Sequence, residues 1–118
     1  MTKAKQLLNN IEEIEIFNEM SNIRQSQTGL PMIVWFLGRG GEKHGPRLKV
    51  QSNHSQSISP TNLISITISD NPELVQGNID QEDFKLIKKF ILLNKDLLLK
   101  YWNHELSTIE FLNQIKKI

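Results

Sequence analysis

The chain of 118 residues contains no cysteine. That absence excludes a disulfide scaffold, thiolate zinc sites, a cysteine nucleophile and iron–sulfur clusters, because each of them needs a thiol. Long apolar runs are missing too. None approaches the roughly 20 residues that a membrane-crossing helix requires, so no membrane partner is expected. The opening run Met-Thr-Lys-Ala-Lys-Gln-Leu-Leu-Asn-Asn lacks the apolar stretch of a secretory signal, since two leucines give way at once to asparagines and glutamates. A cytoplasmic protein is the expectation. Histidines number three; His44, His54 and His104 show neither His-x-x-x-His nor His-Glu-x-x-His spacing, so the pattern offers no metal site. There is no Walker loop, because Gly38 and Gly41 lack the Gly-Lys-Ser/Thr ending and no helix follows them. No internal repeat is present, and no pattern calls for a cofactor.

What is present fits one domain over residues 1–118, since single domains commonly run to roughly 100–150 residues. The formal net charge of +1 hides an uneven distribution. Residues 1–20 carry Lys3 and Lys5 against Glu12, Glu13, Glu15 and Glu19, a net of −2. Residues 21–69 carry Arg24, Arg39, Lys43, Arg47 and Lys49 against Glu42 alone, a net of +4. All the arginines lie in that middle block, and arginine is the side chain best suited to bidentate contacts with phosphate or carboxylate.

Periodicity predicts the elements. Thr2 caps a first helix in which Leu7, Leu8, Ile11 and Ile14 repeat at helical spacing. The polar stretch 18–29 reads as a loop. Residues 32–37, Met-Ile-Val-Trp-Phe-Leu, are apolar on both faces, the mark of a strand covered on both sides and hence of a central position. A glycine-rich turn, residues 38–46, leads to a strand at 47–51, with Leu48 and Val50 alternating against Arg47, Lys49 and Gln51. Residues 52–62 read as a loop. Residues 63–69 form a third strand, with Ile64, Ile66 and Ile68 on one face and Ser65, Thr67 and Ser69 on the other. Residues 73–79 read as irregular. Asp80 caps a helix from Gln81 to about Asn103, with an apolar face built from Phe84, Ile87, Ile91, Leu98 and Trp102 beside Leu86, Phe90, Leu93, Leu97 and Tyr101. Ser107-Thr108-Ile109-Glu110 matches a capping box and starts a last helix with Ile109, Leu112 and Ile115 inward. The predicted class is α+β: a three-stranded, mainly antiparallel sheet packed against helices, in the order α-β-β-β-α-α. A simple meander would put strand 47–51 in the middle; its half-polar pattern argues against that and favours the first strand there.

Chemistry concentrates in the hairpin 38–51. Successive glycines expose backbone N–H groups, and such concavities bind anions. Arg39, Lys43 and His44 surround them, and Arg47 and Lys49 extend the basic face along the strand. Backbone-phosphate binding with salt-dependent affinity would follow. The plainer alternative is a turn whose glycines supply positive φ and whose charges keep a sheet edge soluble. His44, next to Lys43 and Arg47, would serve as a proton-transfer residue on a phosphodiester if Asp70 or Glu73 partnered it. Trp35 and Trp102 read as core residues.

The segment 84–102, containing Ile-Lys-Lys-Phe-Ile-Leu-Leu-Asn-Lys-Asp-Leu-Leu-Leu-Lys-Tyr-Trp, resembles the C-terminal helix of the small bacterial proteins grouped as the DUF4160 family. Lys43-His44-Gly45-Pro46-Arg47-Leu48-Lys49-Val50 sits where that family carries a Pro-Pro-His-Phe-His-Val hairpin; Pro46 and Val50 match, and the two strand histidines are replaced by Arg47 and Lys49. The resemblance covers about residues 31–103. A second group of bacterial and prophage proteins is similar at Gly-Leu-Pro-Met-Ile-Val-Trp (29–35), Gly-Gly-Glu-Lys-His (40–44) and Asn-His-Glu-Leu-Ser-Thr (103–108). Neither resemblance implies an established activity. The wider family implies a small bacterial protein in a toxin–antitoxin-like or phage-related setting.

Three readings follow. The first is a binding protein whose basic hairpin contacts nucleic-acid phosphate or an acidic protein partner. The second is a small ribonuclease-like toxin that uses His44. The third is a homodimer that buries the doubly apolar first strand.

Overall fold

The computed structural model describes residues 25–36, 38–40, 43–55 and 62–118. The expected N-terminal helix over Leu7, Leu8, Ile11 and Ile14 lies outside the described residues. Within them a helical turn, α1 (Gln25–Thr28), precedes four strands, β1 (Val34–Trp35), β2 (Arg47–Gln51), β3 (Leu63–Thr67) and β4 (Leu74–Gln76). Two helices follow, α2 (Gln81–Trp102) and α3 (Thr108–Gln114). The α+β class stands. Among the described residues the order of sheet strands and main helices is β-β-β-β-α-α, with four strands where three were expected. No helix among the described residues is long and apolar enough to cross a membrane.

The helical turn α1 sits inside the stretch expected to be a loop. Gly29 ends it in the left-handed region (φ +80), donating its N–H to Gln25 O at 2.8 Å, as a C-terminal glycine does. The Ile118 carbonyl oxygen lies where a Cβ on Gly29 would be, so that position excludes a side chain twice over.

The sheet is an antiparallel meander in the order β1-β2-β3-β4. β1 is therefore an edge strand and β2 an interior one, the reverse of the expected placement. Burial misled that expectation. Val34 and Trp35 are both 0% exposed although β1 has a single strand neighbour, so burial of its faces does not come from a central position. β2 tolerates an interior place because its one buried polar side chain is satisfied and its cations stay partly exposed. Gln51 is fully buried, with its side-chain amide donating to Asn53 Oδ1 (2.6 Å) and Ser55 O (3.1 Å). Lys49 lies between register partners Trp35 and buried Ser65.

β4 carries no periodic signal. It has three residues, all exposed, and a register irregularity opposite Ser65 and Ile66. It is held by Thr67, whose N–H reaches Glu73 O (2.9 Å) and whose Oγ1 accepts from Glu73 N (2.9 Å).

The other face of the sheet carries Val34, Leu48, Val50, Ile64 and Ile66 into one core with Ile87, Phe90, Ile91 and Leu98 of α2 and Phe111 of α3. Phe36 anchors it, 6.1 Å from the Phe90 ring and 4.9 Å, edge-on, from Phe111. Leu86 and Leu93, expected inward, are 37% and 44% exposed. The buried line on α2 instead runs Asp83, Ile87, Phe90, Asn94, Leu98, Tyr101. Asn94 breaks the helical geometry (φ −114, ψ 16). Its Nδ2 donates to Phe90 O (3.1 Å) and Lys116 O (2.9 Å), and its Oδ1 accepts from Lys116 N (2.8 Å), tying the C-terminal segment to α2.

The capping box of α3 is present: Ser107 Oγ accepts from Glu110 N at 3.2 Å and Glu110 Oε1 from Ser107 N at 3.1 Å. Ile109 points outward at 72% exposure, and Phe111 takes the core position, stacked on Tyr101 at 4.4 Å. Asp80 holds the N-cap place of α2 by backbone geometry alone, without a side-chain bond.

Candidate functional site

The hairpin 38–51 is fixed to the C-terminus of α2. A helix leaves its last carbonyls without intrahelical donors, and each needs another partner. Here Leu99 O accepts from Asn103 N (3.0 Å), Lys100 O from Glu105 N (2.9 Å) and Tyr101 O from His104 N (3.1 Å). The fourth, Trp102 O, accepts from Arg39 N in the hairpin at 2.7 Å. His104 adds a second tie. It adopts φ +60, a left-handed conformation in which histidine is less strained than most residues, and donates from Nε2 to Arg39 O. The carbonyl oxygen can only accept, so this bond fixes the tautomer of His104. Its imidazole lies against Gly38, where an added Cβ would come within 2.7 Å of His104 Cε1.

The geometry revises the expected role of the glycines. The N–H of Arg39 is spent on Trp102 O, so it is not part of an open anion-binding concavity. Positive φ is not the reason for Gly38 or Gly45; among the described glycines it occurs at Gly29 and Gly77. Gly38 is glycine because an imidazole occupies the space of its side chain.

The side chains nevertheless face outward. Arg39, Lys43 and His44 are exposed, and Arg47 and Lys49 are half-buried on β2. Among the described residues none of the four cations forms an ion pair. Lys100, in the last turn of α2, and His104 join the same end of the helix. Positive groups are favoured there, because the aligned peptide dipoles leave that end negative. His44 donates from Nδ1 to Gly45 O at 2.7 Å, and its ring lies beside Trp102, tilted by 31° with centroids 6.2 Å apart. Gln51, expected on an open basic face with Arg47 and Lys49, is buried.

Neither expected partner of His44 reaches it among the described residues. Asp70 takes the Lys95 ammonium, and this contact raises the Lys95 pKa above its ordinary 10.5 through a hydrogen bond and charge attraction. Glu73 is held at Thr67. A different histidine has the carboxylate. His54 Nε2 donates to Asp83 Oδ2 at 2.8 Å, joining the loop after β2 to the first turn of α2. This pair spans 29 residues, and no local spacing announces it. His104 was equally silent as a clamp, although an Asn-His pair directly after a predicted helix end is a composition that tolerates positive φ. His54 lies at one end of α2, on Asp83, and His44 and His104 at the other, by Trp102, about 28 Å away by helix rise. Among the described residues no group of three acidic or imidazole side chains could hold a metal ion.

No known family, curated protein or solved structure matches the chain.

Proposed function

We propose that the protein binds nucleic-acid phosphate through the basic hairpin 38–51, with Arg39, Lys43, His44, Arg47 and Lys49 as contact residues. The supporting observation is the backbone lock of Arg39 onto α2. Because N–H and C=O of Arg39 are both engaged, by Trp102 O and His104 Nε2, its exposed guanidinium extends from a fixed base. Less conformational freedom is then lost when it meets a ligand. Arginine's planar fork suits phosphate oxygens. A setting beside a toxin–antitoxin or phage gene is what the DUF4160 resemblance adds.

Fluorescence anisotropy with labelled single-stranded RNA and duplex DNA, at low and moderate salt, tests this. Binding is expected to weaken with salt and to fall sharply when Arg39, Lys43 and Arg47 are all replaced by alanine. Absence of binding at both salts removes nucleic acid and leaves the hairpin as a docking surface for an acidic protein.

One observation favours a second reading, a small ribonuclease-like toxin. With its Nδ1 proton given to Gly45 O, neutral His44 presents Nε2 as the nitrogen able to take a proton. On that reading His44→Ala abolishes RNA cleavage; in a binding protein there is no cleavage to lose.

A further inference from the structure

Phosphate recognition by cations does not distinguish a single strand from a duplex. The surroundings of His44 do. Its imidazole is held at an edge by the Nδ1 bond to Gly45 O, with the Trp102 ring beside it, tilted by 31° at 6.2 Å. Trp102 is itself buried and immobilised in α2, with its carbonyl bonded to Arg39 N. His44 is thus an exposed ring, pinned at one edge and next to an indole, on a hairpin turn that also carries the exposed cations Arg39 and Lys43. Bases of single-stranded nucleic acid stack on such rings, histidine included, while neighbouring cations track the backbone; a duplex keeps its base faces covered.

We propose that the hairpin selects single-stranded nucleic acid by stacking one base on the exposed ring of His44. The inference rests on the phosphate-binding reading above and specifies its substrate class. The ring, not its proton, supplies the discrimination, so phenylalanine serves in place of histidine.

The test compares three labelled probes by anisotropy: a uridine-only RNA strand, an RNA duplex of equal length, and an abasic strand with the same phosphates. Wild type is expected to bind the uridine strand about tenfold or more tightly than the abasic strand, the scale of one base–aromatic stack, and to prefer it to the duplex. His44→Ala is expected to erase that preference, and His44→Phe to restore it. The side chain is exposed, and thermal melting confirms that both variants keep the fold. Equal binding of strand, duplex and abasic probe by wild type overturns the inference while phosphate binding stands. So does a His44→Phe variant that behaves like His44→Ala. Failure of every probe to bind overturns the phosphate reading itself.

Discussion

Gly38 and His104 are mutually dependent: one lacks a side chain because the other's imidazole needs the space. Gly38→Ala is expected to cost about 1–3 kcal/mol, the range for forcing an atom into a filled site. Most of that cost should disappear in a His104→Ala background, giving a positive coupling in a double-mutant cycle followed by denaturant unfolding. Additive costs would mean that the imidazole does not sit on Gly38. Asn94 is the second residue with a specific task. Asn94→Ala removes three hydrogen bonds and leaves the Lys116 N–H and two carbonyls to find new partners, a loss of about 2–4 kcal/mol at roughly 1 kcal/mol per bond. Hydrogen exchange at the Lys116 amide should rise with it. Two titrating groups set a pH dependence. The Ser107 backbone and side-chain bonds lower the Glu110 pKa from its ordinary 4.5. A lowered value means stabilisation that is present above 4.5 and lost as pH falls through the folded value. Lys95, with its pKa raised by Asp70, behaves oppositely: its contribution is complete below 10.5 and lost as pH rises through the folded value. Melting curves across acid pH should therefore converge for wild type and Glu110→Ala, and curves across alkaline pH for wild type and Asp70→Asn.

At the scale of elements the core is the firmest part. Trp35→Ala and Phe90→Ala are each expected to cost about 3–5 kcal/mol, the range for truncating buried aromatics, measured by denaturant unfolding. Near-wild-type stability of the Phe90 variant would contradict the sheet–helix packing, and of the Trp35 variant the burial of the opposite face of β1. The sequence showed this core clearly where periodicity and burial coincide, in Leu48 and Val50 on β2, Ile64 and Ile66 on β3 and Ile68 just after it, and it showed the Ser107 capping box of α3 as well. It misled where one signal has two causes. The apolar run around Trp35 implied a central strand, because coverage of both faces looks the same in sequence whether sheet or other chain provides it. Leu86 and Leu93 lie one position off the buried line of α2, and a polar residue, Asn94, occupies that line because it bonds the tail. β4 was invisible: three exposed residues paired on one side leave no alternation to read. Among candidate site residues, Arg39, Lys43 and His44 were legible from charge and glycine content. His104 and the His54–Asp83 pair were not, since both depend on contacts between segments 65 and 29 residues apart.

For the molecule as a whole, the hairpin and the helix are one device. The turn that carries the basic block completes the C-terminus of α2, and α2 in turn covers the sheet that the hairpin begins. Charges fixed in this way act at a distance set by salt, about 8 Å under physiological conditions, so the surface as a whole steers an anionic strand. The most direct measurement is the slope of log affinity against log salt for a labelled single-stranded RNA. It is taken for wild type and for the protein with Arg39, Lys43 and Arg47 replaced by alanine. Each phosphate contact on a single strand contributes about 0.7 to that slope. The variant's slope is expected to be shallower by about 2, for three lost contacts at that value. A wild-type affinity insensitive to salt, or the same slope in both proteins, would contradict phosphate binding by the hairpin.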